Sequence, residues 1–308
     1  MFRIIPDTNI NFIGVRNMAF IVSLVLIVLG AVGFGMIATG KANLGIDFAG
    51  GVMIKGYFEK AVGIDELRSA VNTHFENASI TNLTGFEHDH AFIVKTKSPG
   101  SEEESRQQLA TLEKVIIEGF AGNVFTKVET HQIGPAVGET LRKDAQLAIL
   151  LSLFGIIVYI WIRFDFRSGI AATIATFHDV LAVMGIFWAL GLEFDMLTVT
   201  ALLTLAGYSL TDTVVVYDRI RENLKKFRTR GEFANCVNSS INEVLARTFN
   251  TSITVIFVVG SIFVFGGDVL RNFSLALILG VIVGTYSSIF VASPIVVEWE
   301  ARSPKRFK

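Results

Sequence analysis

The stretch Leu205–Glu222, LAGYSLTDTVVVYDRIRE, is an apolar run that carries one acid, Asp212, and then breaks into dense charge. A segment greasy on all sides and closed by a charge cluster reads as a helix that crosses a bilayer and emerges from it. Five other segments read the same way. With a ~30 Å hydrocarbon core needing about 20 apolar residues per helix, the spans are placed at Met18–Thr39, Gln146–Ile162, Gly169–Leu190, Met196–Tyr217, Thr248–Phe265 and Phe273–Val297. The fifth, with TSITVIFVV, is β-branched enough to favour a strand in water, but its length and hydropathy favour a span.

Composition agrees. The 308-residue chain has a mean hydropathy of +0.54 and only 18% charged residues, where about 25% is usual in soluble domains. Net charge is near zero, so the overall balance says nothing of nucleic acid. Cys236 is the single cysteine, which excludes an internal disulfide and any CxxC metal site. No Walker motif appears, so nucleotide binding is not expected, and no nucleophile–base pair or metal-ligand cluster points to an enzyme. No cofactor is expected. The first span follows Arg3 and Arg16 as a signal peptide would, but its apolar run is longer than a signal core, so it reads as a retained anchor.

The basic residues set the orientation. Asp218–Arg247 contains DRIRENLKKFRTRGEF, Ile162–Ser168 holds two arginines, and the chain ends ARSPKRFK, while Gly191–Asp195 and Gly266–Asn272 are poor in basic charge. Both termini are therefore expected in the cytoplasm of a multi-pass protein. Domain limits follow: an N-terminal segment at 1–17, helix 1 at 18–39, an outer domain at 40–144, helices 2–6 at 145–297 with a basic loop at 218–247, and a tail at 298–308. Within the outer domain, GIDFAGGVMIKGYF reads as a strand led by a glycine turn, and IDELRSAVNTHF as a helix with Leu67, Val71 and Phe75 on one face. ASITNLTGFEHDHAFIVKTK reads as two strands around a polar turn at Glu87–His90. SEEESRQQLATLEKVIIEGF has a Ser cap and first-turn acids, and NVFTKVETHQIG closes with a strand. The order β-α-β-β-α-β predicts a ferredoxin-like α+β domain. The fold class is thus a polytopic α-helical membrane protein with that small domain between helices 1 and 2.

Several polar residues sit where lipid-facing side chains do not belong. Asp212 carries a charge that costs ~2.5–3.5 kcal/mol at a helix centre, so it is the first candidate for a proton carrier; a polar tie between helices is the plainer alternative. His178 and Asp179 lie inside the third span, and as sequence neighbours about 100° apart on a helix they need not touch; they serve either a proton relay or helix orientation. Arg247 opens the fifth span, from which it either approaches Asp212 or snorkels to headgroups. Thr211, Thr213 and Ser209 could line a wet path. Asp218 with Arg221 and with Glu222 has helix-surface spacing, and Asp218, Arg219 and Arg221 form either local structure or a docking surface. Ala276, Gly280, Gly284, Ser288 and Ala292 make a small-residue stripe for close helix packing, inside this chain or against a partner. Gly45, Asp47, Gly50 and Gly51 read as the join between the first span and the outer domain. His74, His88, His90 and His131 are scattered and are not expected to bind metal.

An ordered set of motifs runs along the whole chain: GIDFAGG at Gly45–Gly51, FHDV at Phe177–Val180, GYSLTDTVVVYDRIREN at Gly207–Asn223, LARTFNTSIT at Leu245–Thr254, FGG at Phe265–Gly267 and SSIFVASPI at Ser287–Ile295. It resembles the SecF family, subunits of the bacterial SecD/SecF membrane complex that assists protein export. GIDFxGG occurs in SecD too, but the outer domain here is small. The resemblance implies kinship with the resistance–nodulation–division transporters, which move outer domains by protonating intramembrane carboxylates. It implies a proton role for Asp212, a partner role for Arg247, and use of the proton-motive force in the inner membrane. The implied partners are a SecD-like subunit, the Sec channel, the translocating polypeptide and protons, without nucleic acid or nucleotide. A small-molecule exporter and a non-transporting scaffold of the export complex stay open beside this reading.

Overall fold

The structure is a computed structural model that describes residues 8–76, 78–83, 90–97, 100–225 and 233–304. The turn expected at Glu87–His90, save His90 itself, lies outside them, as do His88, Arg3 and part of the basic loop. Six helices are long and apolar enough to cross a membrane. They are α1 (Arg16–Ala38), α5 (Pro135–Arg163), α6 (Phe166–Ala189), α7 (Met196–Asn223), α8 (Phe233–Phe265), and α9 (Arg271–Ser287) continued by α10 (Ser293–Arg302). Between α9 and α10 the chain makes a π-helical turn at Ser288–Ala292, where Pro294 cannot donate to the ladder. The Ser293 hydroxyl donates to Ser288 O and the Tyr217 hydroxyl to Ala292 O, so side chains bond carbonyls at both ends of this turn.

Between α1 and α5 lie α2 (Ile46–Ala49), β1 (Gly51–Phe58), α3 (Ile64–Asn72), β2 (Ser79–Asn82), β3 (Ala91–Lys97), α4 (Glu102–Gly119) and β4 (Phe125–Ile133). The strands form one antiparallel sheet in the order β2-β3-β1-β4. From β1 onward this is the β-α-β-β-α-β arrangement read from the sequence. Val52, Ile54 and Phe58 of β1, with Phe92 and Val94, meet Leu67 and Val71 of α3 and Leu112 and Ile116 of α4 in one core. Ser101 and Glu104 form a capping box at the start of α4. The other sheet face, with Met53, Lys55, Ile93 and Lys95, looks toward the helical bundle across a cavity of about 760 Å³.

In the bundle, α6, α7 and α9 are the inner helices, while α1, α5 and α8 present most of their span residues outward. The close crossing of α1 and α6 depends on glycine: a Cβ on Gly30 would stand 2.3 Å from Leu181 O, and one on Gly185 2.5 Å from Gly30 N. Helix limits differ from those read off hydropathy. Helix α5 starts at Pro135 rather than at Gln146, α7 runs on to Asn223 rather than stopping at Tyr217, and α8 starts at Phe233 rather than at Thr248. Each added stretch is polar, so apolarity marks the lipid-crossing part of a helix but not its ends. The loop expected at Asp218–Arg247 is therefore mostly helix.

Candidate functional site

Asp212 lies on α7, 4% exposed and ~17 Å along the axis from Asn223 at 1.5 Å per residue. Because α7 continues through DRIRE, Asp212 is an interior residue of the helix rather than one near its end. Its carboxylate accepts one hydrogen bond, from Thr285 Oγ1 of α9 at 3.3 Å. Thr285 Oγ1 is in turn 2.6 Å from Ser252 Oγ of α8, whose one proton goes either to Thr285 Oγ1 or to Thr248 O. A hydroxyl chain thus joins the acid to two other helices. Nothing in the sequence singled out Thr285 or Ser252; they are brought to Asp212 only by tertiary packing.

A second carboxyl, Asp179 of α6, is fully buried. It accepts from Ser209 Oγ of α7 and from Ser287 Oγ of α9 at 2.7 Å, and its other oxygen lies 2.9 Å from His178 Nδ1. These sequence neighbours, which helix geometry does not oblige to touch, do meet here through their side chains. Asp179 therefore ties together the three inner helices, and Ser209 and Ser287 stand within a turn of Asp212 and Thr285. The His178 ring is also 6.3 Å from that of Tyr286, whose hydroxyl donates to Ala19 O of α1. His178 Nε2, Tyr208 Oη and Thr248 Oγ1 are buried without a hydrogen-bond partner among the described residues.

Arg247 does not pair with Asp212 among the described contacts. It is exposed on α8, where Thr251 and Thr254 share its face at i+4 and i+7. A face of α7 is also open, with Thr200, Thr204, Gly207 and Thr211 exposed at helical spacing. The small-residue stripe on α9 is used inside the chain. Gly280 packs on Leu205, Gly284 on Ser209, and Ala276, Ser288 and Ala292 are buried. Asp218 pairs with Arg163 of α5, both carboxylate oxygens at 2.8 Å, rather than with Arg221, which is exposed. Arg219 bridges Glu222 and Glu243, joining α7 to α8.

At the opposite end of the bundle, Gly45 and Asp47 meet the α6–α7 connection. Gly45 N donates to Phe194 O at 2.7 Å, and Asp47 Oδ2 accepts from Met196 N at 3.0 Å. Gly50 and Gly51 have φ of 75° and 150°, and a Cβ on Gly51 would stand 2.3 Å from Thr96 O.

Residues 114–302 match the family model described as protein export membrane protein SecD/SecF, C-terminal. The chain is 45% identical to the protein translocase subunit SecF of Thermodesulfovibrio yellowstonii, covering 96% of each chain. It is 40% identical to that of Rhodothermus marinus, over 99% of this chain and 97% of the relative. Among solved structures it resembles SecDF, a translocon-associated membrane protein from Thermus thermophilus, with a TM-score of 0.77 and 38% identity over 96% of this chain. It spans only 39% of that longer chain.

Proposed function

This chain belongs to the SecD/SecF family of protein export membrane proteins, as a subunit of SecF type, and from that premise we propose that Asp212 couples the proton-motive force to export. A multi-pass subunit of a SecD/SecF complex in protein export is the frame; the proton chemistry, orientation and further partners are our reading. The observation that carries it is the setting of Asp212: a carboxyl deep in α7, held by one hydroxyl and paired with no cation among the described residues. Intramembrane acids are costly and mark ion pathways. One charge crossing 100 mV is worth ~2.3 kcal/mol, enough to shift a two-state equilibrium. The Thr285–Ser252 chain and the orphaned hydroxyls of Tyr208 and Thr248 supply groups that water entering the bundle would hydrogen-bond.

In this reading the chain sits in the bacterial inner membrane with both termini cytoplasmic. The cluster of Arg163, Arg219 and Arg221 faces the cytoplasm, and the α+β domain faces the periplasm. Arg247 meets Asp212 in another conformation or across hydrated space. A SecD-like chain covers the open polar faces of α7 and α8, and the α+β domain acts on polypeptide leaving the Sec channel. The activity is transport rather than enzymatic catalysis, with no cofactor or nucleotide. Proton flux through the reconstituted complex tests it. The Asp212→Asn variant keeps the shape and should lose both flux and proton-driven export. Normal assembly with export still fully dependent on the proton-motive force would leave the scaffold reading standing.

A further inference from the structure

The α+β domain is tied covalently to α1 and α5, and α7, which carries Asp212, is reached from it through a set of non-covalent contacts at one place. Phe194 N donates to Asn43 O at 2.8 Å while Gly45 N donates to Phe194 O, so the α1–β1 connection forms a short bridge with the α6–α7 connection. Asn43 Nδ2 donates to Gly191 O at 3.0 Å. From the sheet, Lys95 Nζ of β3 reaches the Glu193 carboxylate at 3.2 Å, and Lys97 Nζ reaches Asn43 Oδ1 at 2.9 Å. Met196 is the first residue of α7, and its N–H has no acceptor within the helix. Asp47 supplies that acceptor from another element, beside the helix's own cap, Asp195.

We propose that Asp47 and the Lys95–Glu193 pair form a clasp that transmits movement of α7 to the α+β domain. This rests on the reading of Asp212 as the proton-coupled group. The geometry supplies three parts. A grip comes from Asp47, on the short helix α2, holding the end of α7. A stiff link follows at once: Gly50 and Gly51 take positive φ, and Gly51 is already paired with Lys97 and Ile133, so the turn joins α2 directly to the central strand β1. Room comes from the cavity of about 760 Å³ between the open sheet face and the ends of α7, α8 and α9, lined by Met53, Lys95, Leu197, Phe263 and Leu275. A shift of α7 pulls on Asp47 and, through that stiff turn, tilts the sheet into or out of that space. The two connections fit closely enough to move as one: a Cβ on Gly45 would stand 3.0 Å from the Asp195 Cβ. Asp47 is thus a positioning residue, and its carboxyl acts as a hydrogen-bond acceptor rather than as a proton carrier.

The experiment measures proton flux and export in vesicles holding the whole complex. Asp47→Asn keeps an acceptor for Met196 N and should export as wild type does. Asp47→Ala removes it and should lower export about five- to tenfold, the range of a lost cap or a weakened coupling contact, while flux stays close to wild type. Lys95→Glu should impair export in the same selective way, and the exchanged pair Lys95→Glu/Glu193→Lys should restore it, which covers the case in which Asp47→Ala fails to fold. Equal loss in Asp47→Asn and Asp47→Ala, wild-type export in both Asp47→Ala and Lys95→Glu, or no rescue by the exchanged pair overturns the clasp. The Asp212→Asn arm judges the proton reading separately, since only that variant is expected to lose flux.

Discussion

Asp179 and Asp212 are buried carboxyls on neighbouring helices with unlike surroundings. Asp179 has three hydrogen-bond partners from three positions; Asp212 has one hydroxyl. Removing an acceptor leaves each buried donor to bear ~1–3 kcal/mol. Asp179→Ala removes the partner of Ser209 and of His178 Nδ1 and leaves Ser287 only Gly284 O, whereas Asp212→Ala frees only Thr285, which keeps Ser252. We therefore expect Asp179→Ala to lower the thermal midpoint in detergent clearly more than Asp212→Ala, and Asp212→Ala to cost function with little stability. The reverse ranking would show that Asp179 is not the structural tie. Outside the membrane, Glu129 of β4 sits below the usual carboxylate range, chiefly because His131 hydrogen-bonds it, with the charges of His131 and Lys55 adding and partial desolvation opposing. A depressed carboxyl stabilises the fold above its unfolded value of 4.5 and loses that contribution as pH falls through the lower folded value. Glu129→Gln should then raise amide exchange in β4 modestly at pH 7 and hardly at all in strong acid; the pair is half exposed, so the effect is small.

Among the helices, the α7–α9 contact sets the distance between Asp212 and Thr285. Gly284 lies against Ser209, where a Cβ would stand 3.0 Å from the Ser209 Cβ and 3.3 Å from its Cα, atoms that can give only if the helix moves. Gly284→Ala should therefore cost a little stability, and less than a larger side chain. Gly284→Leu should push α9 from α7, costing ~1–3 kcal/mol by overpacking and lowering activity through a displaced Thr285. An unchanged midpoint and activity for the leucine variant would mean that the two helices are not held as described. This contact also shows what the sequence made legible. The spacing of small residues marked a packing face of α9 but could not name its partner, since an inward and an outward stripe look alike in one dimension. Six spans and the β-α-β-β-α-β order were readable because hydropathy and strand alternation are local. Helix ends were not, because α5, α7 and α8 continue as polar helix past the lipid-facing stretch. Asp212 stood out as a lone acid, but Thr285 and Ser252, ordinary polar residues on other helices, did not. The salt bridge of Asp218 with Arg163 was likewise hidden behind a nearer basic neighbour at i+3.

On the scale of the whole molecule, the exposed surface is uneven in kind. Outward residues of α1 are Met18, Ile21, Val25, Val28 and Val32, a face suited to lipid. Outward residues of α7 are Thr200, Thr204, Gly207 and Thr211, and those of α8 include Arg247, Thr251 and Thr254. Small and hydroxyl-bearing residues are the ones that let membrane helices approach closely and bond across an interface, so this face is where a SecD-like chain is expected to pack. Gly207 offers a direct test, because a Cβ there meets nothing within 4 Å in this chain. Gly207→Leu should leave the isolated subunit as stable as wild type while sharply reducing copurification of the SecD-like chain. Gly155 of α5 is the control: it is also exposed and its Cβ position is also open, but its neighbours Leu151 and Phe154 are apolar, so Gly155→Leu should copurify normally. Equal copurification of the two variants would place the α7 face against lipid or water, and the partner would have to bind elsewhere on the bundle.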